Sequence, residues 1–460
     1  MIVHKKRILL ISAYMFVLFL NSSIIISTVY AQEENCPKEQ RLQDDTSHKK
    51  REGRYYAFLP GFGYSPDMGL IVAGIAGVFD NGQNDDPYFD QTPYESMIII
   101  SPSWSTRGMA SMLLDYDAPY FHNSLYRIRG RLWYMRNIVE QYFGIGRSTM
   151  NDLSTPDGQH FNDYMAYNDE ISLITDGRTN AYYNYYLHEY VLGTLNVERD
   201  IMNGKSRTGA GFYFSKVWNR DYTNKKVKGK SSTNSSDRED AIQEETLLMH
   251  DYRLKKITGF KGGWDNSLRL SFAYDTRDFE SNPRSGMFHD IYLSMSNAIM
   301  GSDFNYNITT VTTRFFYSPK FFTRNLILYS RFLSCVKSGD VPYFMMNYIP
   351  TSDKHMYGLG GEYTMRGYRL SRFVGKVMTL ANFETRWIFK DFMIGDGLFE
   401  LMAVPFIDIG RVDDTISRIN LNGLKYAYGI SLRIAYSQSF VVSFDFGFSA
   451  EEFSSFYITF

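Results

Sequence analysis

The chain has 460 residues, is 17% aromatic with 36 Tyr and 35 Phe against 5 Trp, and carries a formal net charge of −1. That length suits one large barrel, and the near-neutral charge, with no basic domain and no aromatic-basic motif, argues against a nucleic-acid partner. A mean hydropathy of −0.31 excludes a bundle of membrane helices, but not a β-barrel, whose lipid-facing and lumen-facing residues alternate.

The first element is an export signal. Lys5, Lys6 and Arg7 precede an uncharged apolar run from Ile8 to Leu20, and Val29-Tyr30-Ala31 places permissive residues before a cut at Gln32. This is the layout of a secretory signal peptide over 1–31. Polar Asn21-Ser22-Ser23 argues against the other reading, an uncleaved anchor. Residues 32–53 are charged and read as a flexible periplasmic leader. The two cysteines, Cys36 and Cys335, are compatible with a bridge or with two free thiols. Neither has a metal-ligand neighbourhood, and no metal or cofactor is expected.

From Tyr55 onward strand-like segments recur. Period two is clean over 267–275, where Leu268, Leu270, Phe272 and Tyr274 oppose Ser267, Arg269, Ser271, Ala273 and Asp275. The same holds over 430–437, and over 441–449, where Val442, Phe444, Phe446 and Phe448 oppose Val441, Ser443, Asp445, Gly447 and Ser449. Aromatic faces backed by Arg and Asp fit a cylinder that is apolar outside and polar inside. Strands are predicted near 54–63, 68–79, 95–104, 108–118, 124–137, 181–197, 207–218, 266–277, 286–297, 303–317, 324–336, 376–389, 400–410, 427–437, 440–449 and 453–460. The expected fold is all-β, a transmembrane antiparallel β-barrel of sixteen strands over 54–460. A bilayer sheet must close on itself, because no water is present to satisfy a free edge.

With the N-terminus periplasmic, the long connections 138–180, 219–265 and 337–375 should face outward. The second, with Lys225-Lys226-Val227-Lys228 and Asp237-Arg238-Glu239-Asp240, reads as a solvated surface loop. The chain closes on Phe456-Tyr457-Ile458-Thr459-Phe460. Phe456, Ile458 and Phe460 form the alternating stripe that usually ends bacterial outer-membrane barrels, and are read as a C-terminal insertion signal.

Three blocks point to a family. The first is Ala273-Tyr274-Asp275-Thr276-Arg277-Asp278 followed by Asn282-Pro283-Arg284-Ser285-Gly286; the second is Gly360-Gly361-Glu362-Tyr363-Thr364-Met365-Arg366-Gly367-Tyr368. The third pairs Asn382-Phe383-Glu384-Thr385-Arg386 with Phe406-Ile407-Asp408-Ile409-Gly410. Together they resemble the BamA/TamA-like barrels of the bacterial surface-antigen superfamily, over about 54–460 and most specifically over 260–460. A weaker similarity is Tyr142-Phe143-Gly144-Ile145-Gly146. The resemblance implies a strand-turn motif at Asp275, Arg277, Pro283 and Gly286. It also implies a loop that folds into the lumen, with Gly361, Arg366, Gly367 and Tyr368 as a latch and Glu384 and Asp408 as its wall partners. The physics is compatible, because a lumenal guanidinium seeks carboxylates and bonds them bidentately. A fixed structural ion pair is the other reading.

The large members of that family carry periplasmic POTRA domains, whereas only 32–53 is available here, so a barrel-only member is expected. Catalytic constellations are missing from the sequence: there is no His-Glu-x-x-His and no Gly-x-Ser-x-Gly. The adjacent pairs His188-Glu189 and His289-Asp290 should point to opposite faces of their strands. The expectation is a non-enzymatic, integral outer-membrane protein of a Gram-negative cell, assisting outer-membrane protein assembly or translocation. Its expected partners are outer-membrane lipids, the insertion machinery that assembles it, and a protein client. The alternatives are a structural or pore-forming surface barrel and, third, a barrel hydrolase.

Overall fold

The computed structural model describes residues 52–459 apart from 90–91, 93, 203, 232–236, 281, 320–324, 395–396 and 437–439. The signal segment, Cys36, most of the leader and Phe460 therefore lie outside the described residues. Strands alternate so regularly from Arg54 that the sheet closes into one barrel. Its strands, in chain order, are β1 (Arg54–Ser65), β2 (Gly69–Asp80), β3 (Ser96–Ser105), β4 (Met109–Ala118), β5 (Tyr126–Gln141), β6 (Tyr185–Ile201), β7 (Ser206–Arg220) and β8 (Gly262–Asp275). They continue as β9 (Gly286–Ser296), β10 (Tyr306–Tyr317), β11 (Leu326–Gly339), β12 (Val377–Ile394), β13 (Gly397–Asp413), β14 (Lys425–Tyr436), β15 (Phe440–Ser449) and β16 (Ser455–Thr459). The expected all-β transmembrane barrel of sixteen strands is the observed fold.

Period two decides what each strand shows to each side. Leu270 and Phe272 are exposed on the outer wall, while Ser267 and Arg269 are buried inside. On β15 the outward Phe446 is exposed, and Ser443 and Asp445 are buried. Each sequential pair is antiparallel, with β7 and β8 in register from Ser206↔Tyr274 to Trp218↔Gly262. Closure is different. β1 and β16 are paired at Tyr64↔Ile458, the single register pair between them among the described residues.

The connections 142–184, 221–261 and 340–376 all leave the same end of the barrel, the distal end, opposite the end where β1 starts. The first contains helix α1 (Tyr164–Ser172), started by Asp163, whose carboxylate accepts from the Ala166 amide at 2.8 Å. The second contains α2 (Leu247–Arg253), capped by Thr246. It is also more ordered than a solvated loop. Its segments Lys226–Lys230 and Arg238–Gln243 pair with each other and join the short strands Ile174–Thr175 and Arg178–Thr179 in a small sheet. Lys226, Lys228, Arg238 and Asp240, which read as loop residues, share this sheet's exposed face, opposite buried Val227 and Ala241.

The third connection turns inward and plugs the lumen. Its short helix α3 (Tyr343–Met346), Ile349, Met356, Leu359, Met365 and Phe373 pack against Tyr186, Tyr190, Tyr213, Tyr306, Leu333 and Met378 of the wall. A barrel of this width has room for such a filling. The buried aromatic and aliphatic area on this interface is the main contribution to seating the plug.

Candidate functional site

The plug carries the Gly360–Tyr368 signature at a hard bend. Gly360 has φ 126°, and a Cβ there would lie 1.9 Å from the Arg369 carbonyl oxygen. The Thr364 hydroxyl donates to the Gly360 carbonyl at 2.7 Å and accepts from its amide at 2.9 Å. The Gly361 amide donates to the Tyr368 carbonyl at 2.9 Å. Glycines and one threonine thus turn the chain so that residues 366–368 reach the wall.

Arg366 is buried there. Its Nε and Nη2 each donate to Asp408 at 2.9 Å, and its backbone amide donates to the same carboxylate at 3.1 Å. Nη1 donates to Glu384 Oε1 at 3.0 Å and lies 3.6 Å from Asp445. The guanidinium carbon sits 3.5 Å over the Phe406 ring. Glu384 also accepts from Arg433 at 2.8 and 2.9 Å and from Arg386 Nε at 3.0 Å. Asn382 bridges the parts, donating to Asp408 at 2.6 Å and to the Thr364 carbonyl at 2.8 Å. Three guanidinium groups and three carboxylates therefore interlock in one largely buried cluster, where charge-assisted bonds are strong and an unpaired member is costly.

The next residues cross the seam. Gly367 has φ 107°, and a Cβ on it would stand 2.9 Å from the Phe448 backbone of β15. Its amide donates to the Tyr457 hydroxyl of β16 at 3.2 Å, and that hydroxyl donates to the Tyr368 carbonyl at 3.3 Å. Arg369 pairs with Asp67, in the β1–β2 turn, at 3.4 Å, and also with Glu452, in the β15–β16 connection. The Leu370 amide donates to Asp67 at 2.9 Å. Arg372 pairs with Glu451 at 2.7 Å and donates to the Thr149 and Asn151 carbonyls. Residues 366–372 thus hold β12 and β13 at one end and both sides of the β1–β16 junction at the other.

The remaining sequence-predicted residues fall elsewhere. Arg277 forks onto Asp275 at 2.8 and 2.9 Å, and Gly286, φ 99°, starts β9 against the Thr276 carbonyl. The connection between them runs over 276–285, longer than the tight turn its Pro283 and Gly286 suggested. Asp278, accepting from the Arg284 amide at 2.9 Å, organises it. The Gly146 amide donates to the Val374 carbonyl at 2.8 Å, so the 142–146 segment rests on the plug. Phe456 and Ile458 share the outer face with Phe446 and Phe444. His188 bonds Asn219 while Glu189 accepts from Tyr134, and His289 bonds Thr313 while Asp290 accepts from Ser352, so neither pair meets. Cys335 is a buried free thiol. Residues that sequence reasoning did not assign to the site are Asp445, Arg433, Asp67, Arg369, Arg372, Glu451, Glu452 and Tyr457, and Arg386 and Asn382 stood in the third block without a role. The charged face of the 430–437 and 441–449 alternation held Arg433 and Asp445 in view.

An Omp85 superfamily domain model matches residues 175–454. The chain belongs to the Omp85 superfamily. A second model, a domain of unknown function (DUF5982), matches residues 33–95. Among solved structures, the barrel is similar to BamA from Haemophilus ducreyi lacking POTRA domains 1–3, at 13% identity and a TM-score of 0.51, over 89% of this chain and 70% of that one. It is also similar to CdiB from Acinetobacter baumannii, at 11% identity, 89% and 60% coverage and a TM-score of 0.46. CdiB from Escherichia coli matches at 10% identity, 91% and 68% coverage and a TM-score of 0.49. At such identities the likeness is one of fold. No curated protein matches this Omp85 chain in sequence.

Proposed function

We propose that this Omp85 barrel is an integral outer-membrane protein that assists assembly or translocation of another protein, with the plug as latch and the β1–β16 junction as the edge that yields. The observation carrying the proposal is the path of residues 366–372 across a junction with one register pair among the described residues. A weak strand junction and a loop that ties its two sides together form a pair of coupled parts, and a client strand that added to the free stretch of β1 would compete with both. Outer-membrane lipids on the aromatic outer face, and the machinery that inserts the barrel itself, are the other partners.

Depletion followed by quantitative proteomics of the outer-membrane fraction tests this reading. Loss of several unrelated barrels, or of one surface partner, supports it. An unchanged outer membrane returns the protein to the second reading, a structural or pore-forming barrel. That reading draws on the breadth of the apolar contact between plug and wall, which suits a permanent filling. A steady single-channel conductance in planar bilayers would accompany it. The latch has its own test: if Arg366→Ala leaves plug protection, folding and phenotype unchanged, the latch is abandoned.

A further inference from the structure

The inner wall is not uniform. Over β6–β15 polar and charged residues such as Thr194, Asn196, Ser267, Thr312, Asn382 and Asp445 face inward among the aromatic and aliphatic ones that seat the plug. Over β1–β4 the register places Leu59, Ile71, Ile75, Ile99 and Leu113 on the same inward face, bordered by the uncharged Ser101, Ser103 and Ser111, of which the last two bond each other at 2.7 Å. The same register places Phe58, Val72, Ile98, Ile100 and Leu114 on the outward face. Small residues Gly61 and Ala73 lie among the large inward ones and hollow the surface into a trough. No charged side chain occurs on this inner face before Asp115, which Arg131 engages at 2.6 Å.

An apolar sheet face inside a barrel needs an apolar neighbour. The plug does not supply one, since its buried core gathers on walls from β5 onward. The segment before β1 does not suit either, because Leu42 is the one large aliphatic residue between Gln32 and Arg51. The trough is continuous with the lipid-facing surface instead. Over Arg54–Gly61 the outer edge of β1 has no strand partner among the described residues. Beyond Arg54, which pairs with Asp80 at the strand's start, both faces of that stretch are open and apolar, with Tyr56 at 76% and Phe58 at 73% exposure outside and Tyr55 at 42% and Leu59 at 53% inside. Apolar surface therefore runs round the edge of β1 from bilayer to lumen without a charged break.

We propose that the inner face of β1–β4 binds the acyl chain of a membrane lipid, admitted round the free edge of β1. The ligand class is a single long aliphatic chain, and the trough recognises it by shape and by the absence of charge. The lumen is then divided into a lipid-wetted half against β1–β4 and a plugged half against the remaining wall.

Spin labels test this in the full-length protein in phosphatidylcholine vesicles, with Cys36 replaced by Ser and labels placed one at a time through Ile75→Cys, Ile99→Cys, Val72→Cys and Thr194→Cys. Heat-modifiable gel mobility reports folding of each, and two trough positions guard against failure of one. The trough labels should be broadened by oxygen and lose broadening by a water-soluble nickel chelate, as at lipid-facing Val72, while Thr194 on the polar wall shows the reverse. Nickel access at Ile75 and Ile99 means a water-filled trough and overturns the proposal. Exclusion of both reagents means a protein segment packs there and overturns it equally.

Discussion

Glu384 accepts from three guanidinium groups while Asp408 relies on Arg366 and Asn382, and that asymmetry sets what each substitution should do. Arg366→Ala strands Asp408, fully buried, and should cost about 3–5 kcal/mol, the usual penalty for an orphaned buried charge. Arg366→Lys should recover little of it, since an ammonium cannot serve Asp408 bidentately and Glu384 as well. Thermal unfolding followed by gel mobility measures both, and equal stability of Lys and Arg would remove the fork from the explanation. Gly367→Ala meets two obstacles, a positive φ and the Phe448 backbone, and should loosen the loop by about 1–3 kcal/mol in the same assay. At this scale legibility followed motif and period. Arg366, Glu384 and Asp408 stand in the signature blocks, and Arg433 and Asp445 sit on the charged face of clean alternations. Arg369 gave no such sign, because its partners are defined only once distant connections meet.

The plug as an element should respond to acid through His355. Its ring lies among Trp133, Tyr348 and Tyr357. Burial, reinforced by Arg131, Arg269 and Lys354, holds its pKa down at about 3. A released plug would carry an ordinary histidine near pH 6.5. Above that pH both states are neutral and nothing changes. As pH falls from about 6.5 toward 3, the released plug takes a proton that the seated plug refuses, so seating weakens by at most about 1.4 kcal/mol per pH unit. Hydrogen exchange over 343–357 should therefore rise between pH 7 and pH 5 beyond its intrinsic change, and His355→Gln should flatten the rise. Identical profiles for the two proteins would discard His355 as the sensor. Strand limits show where element-level reading ran short. β12 was expected to stop at 389 and β13 to start at 400, yet the hairpin runs to Ile394 and from Gly397. A register shift at Ile388/Lys390 breaks the alternation, and polar residues at Lys390 and Asp391 end the signal although the backbone pairing continues.

For the molecule as a whole, the junction is the decisive place. Tyr64→Cys with Ile458→Cys puts two thiols on facing residues, within the geometry a disulfide accepts. Oxidation should then fix the barrel shut and arrest client assembly, with reductant restoring it; a protein that only forms a structure or pore should be indifferent. The barrel itself was legible from alternation, turn chemistry and a signal-like start, because a bilayer allows so few closed solutions. Its asymmetry was not, since which wall is apolar depends on register summed over neighbouring strands. The long reach of Arg369 also has a kinetic consequence. Its partner Asp67 is 302 residues away in the chain, and Glu452 and Tyr457 come from the last connection and the last strand. Loops that close such separations form late. The plug should therefore find its seat only after the first hairpin and the final strand have met, which makes its docking the closing event of folding. A barrel arrested before that point would present a loose loop to proteases, and the cell would have a ready mark by which to tell finished from unfinished molecules.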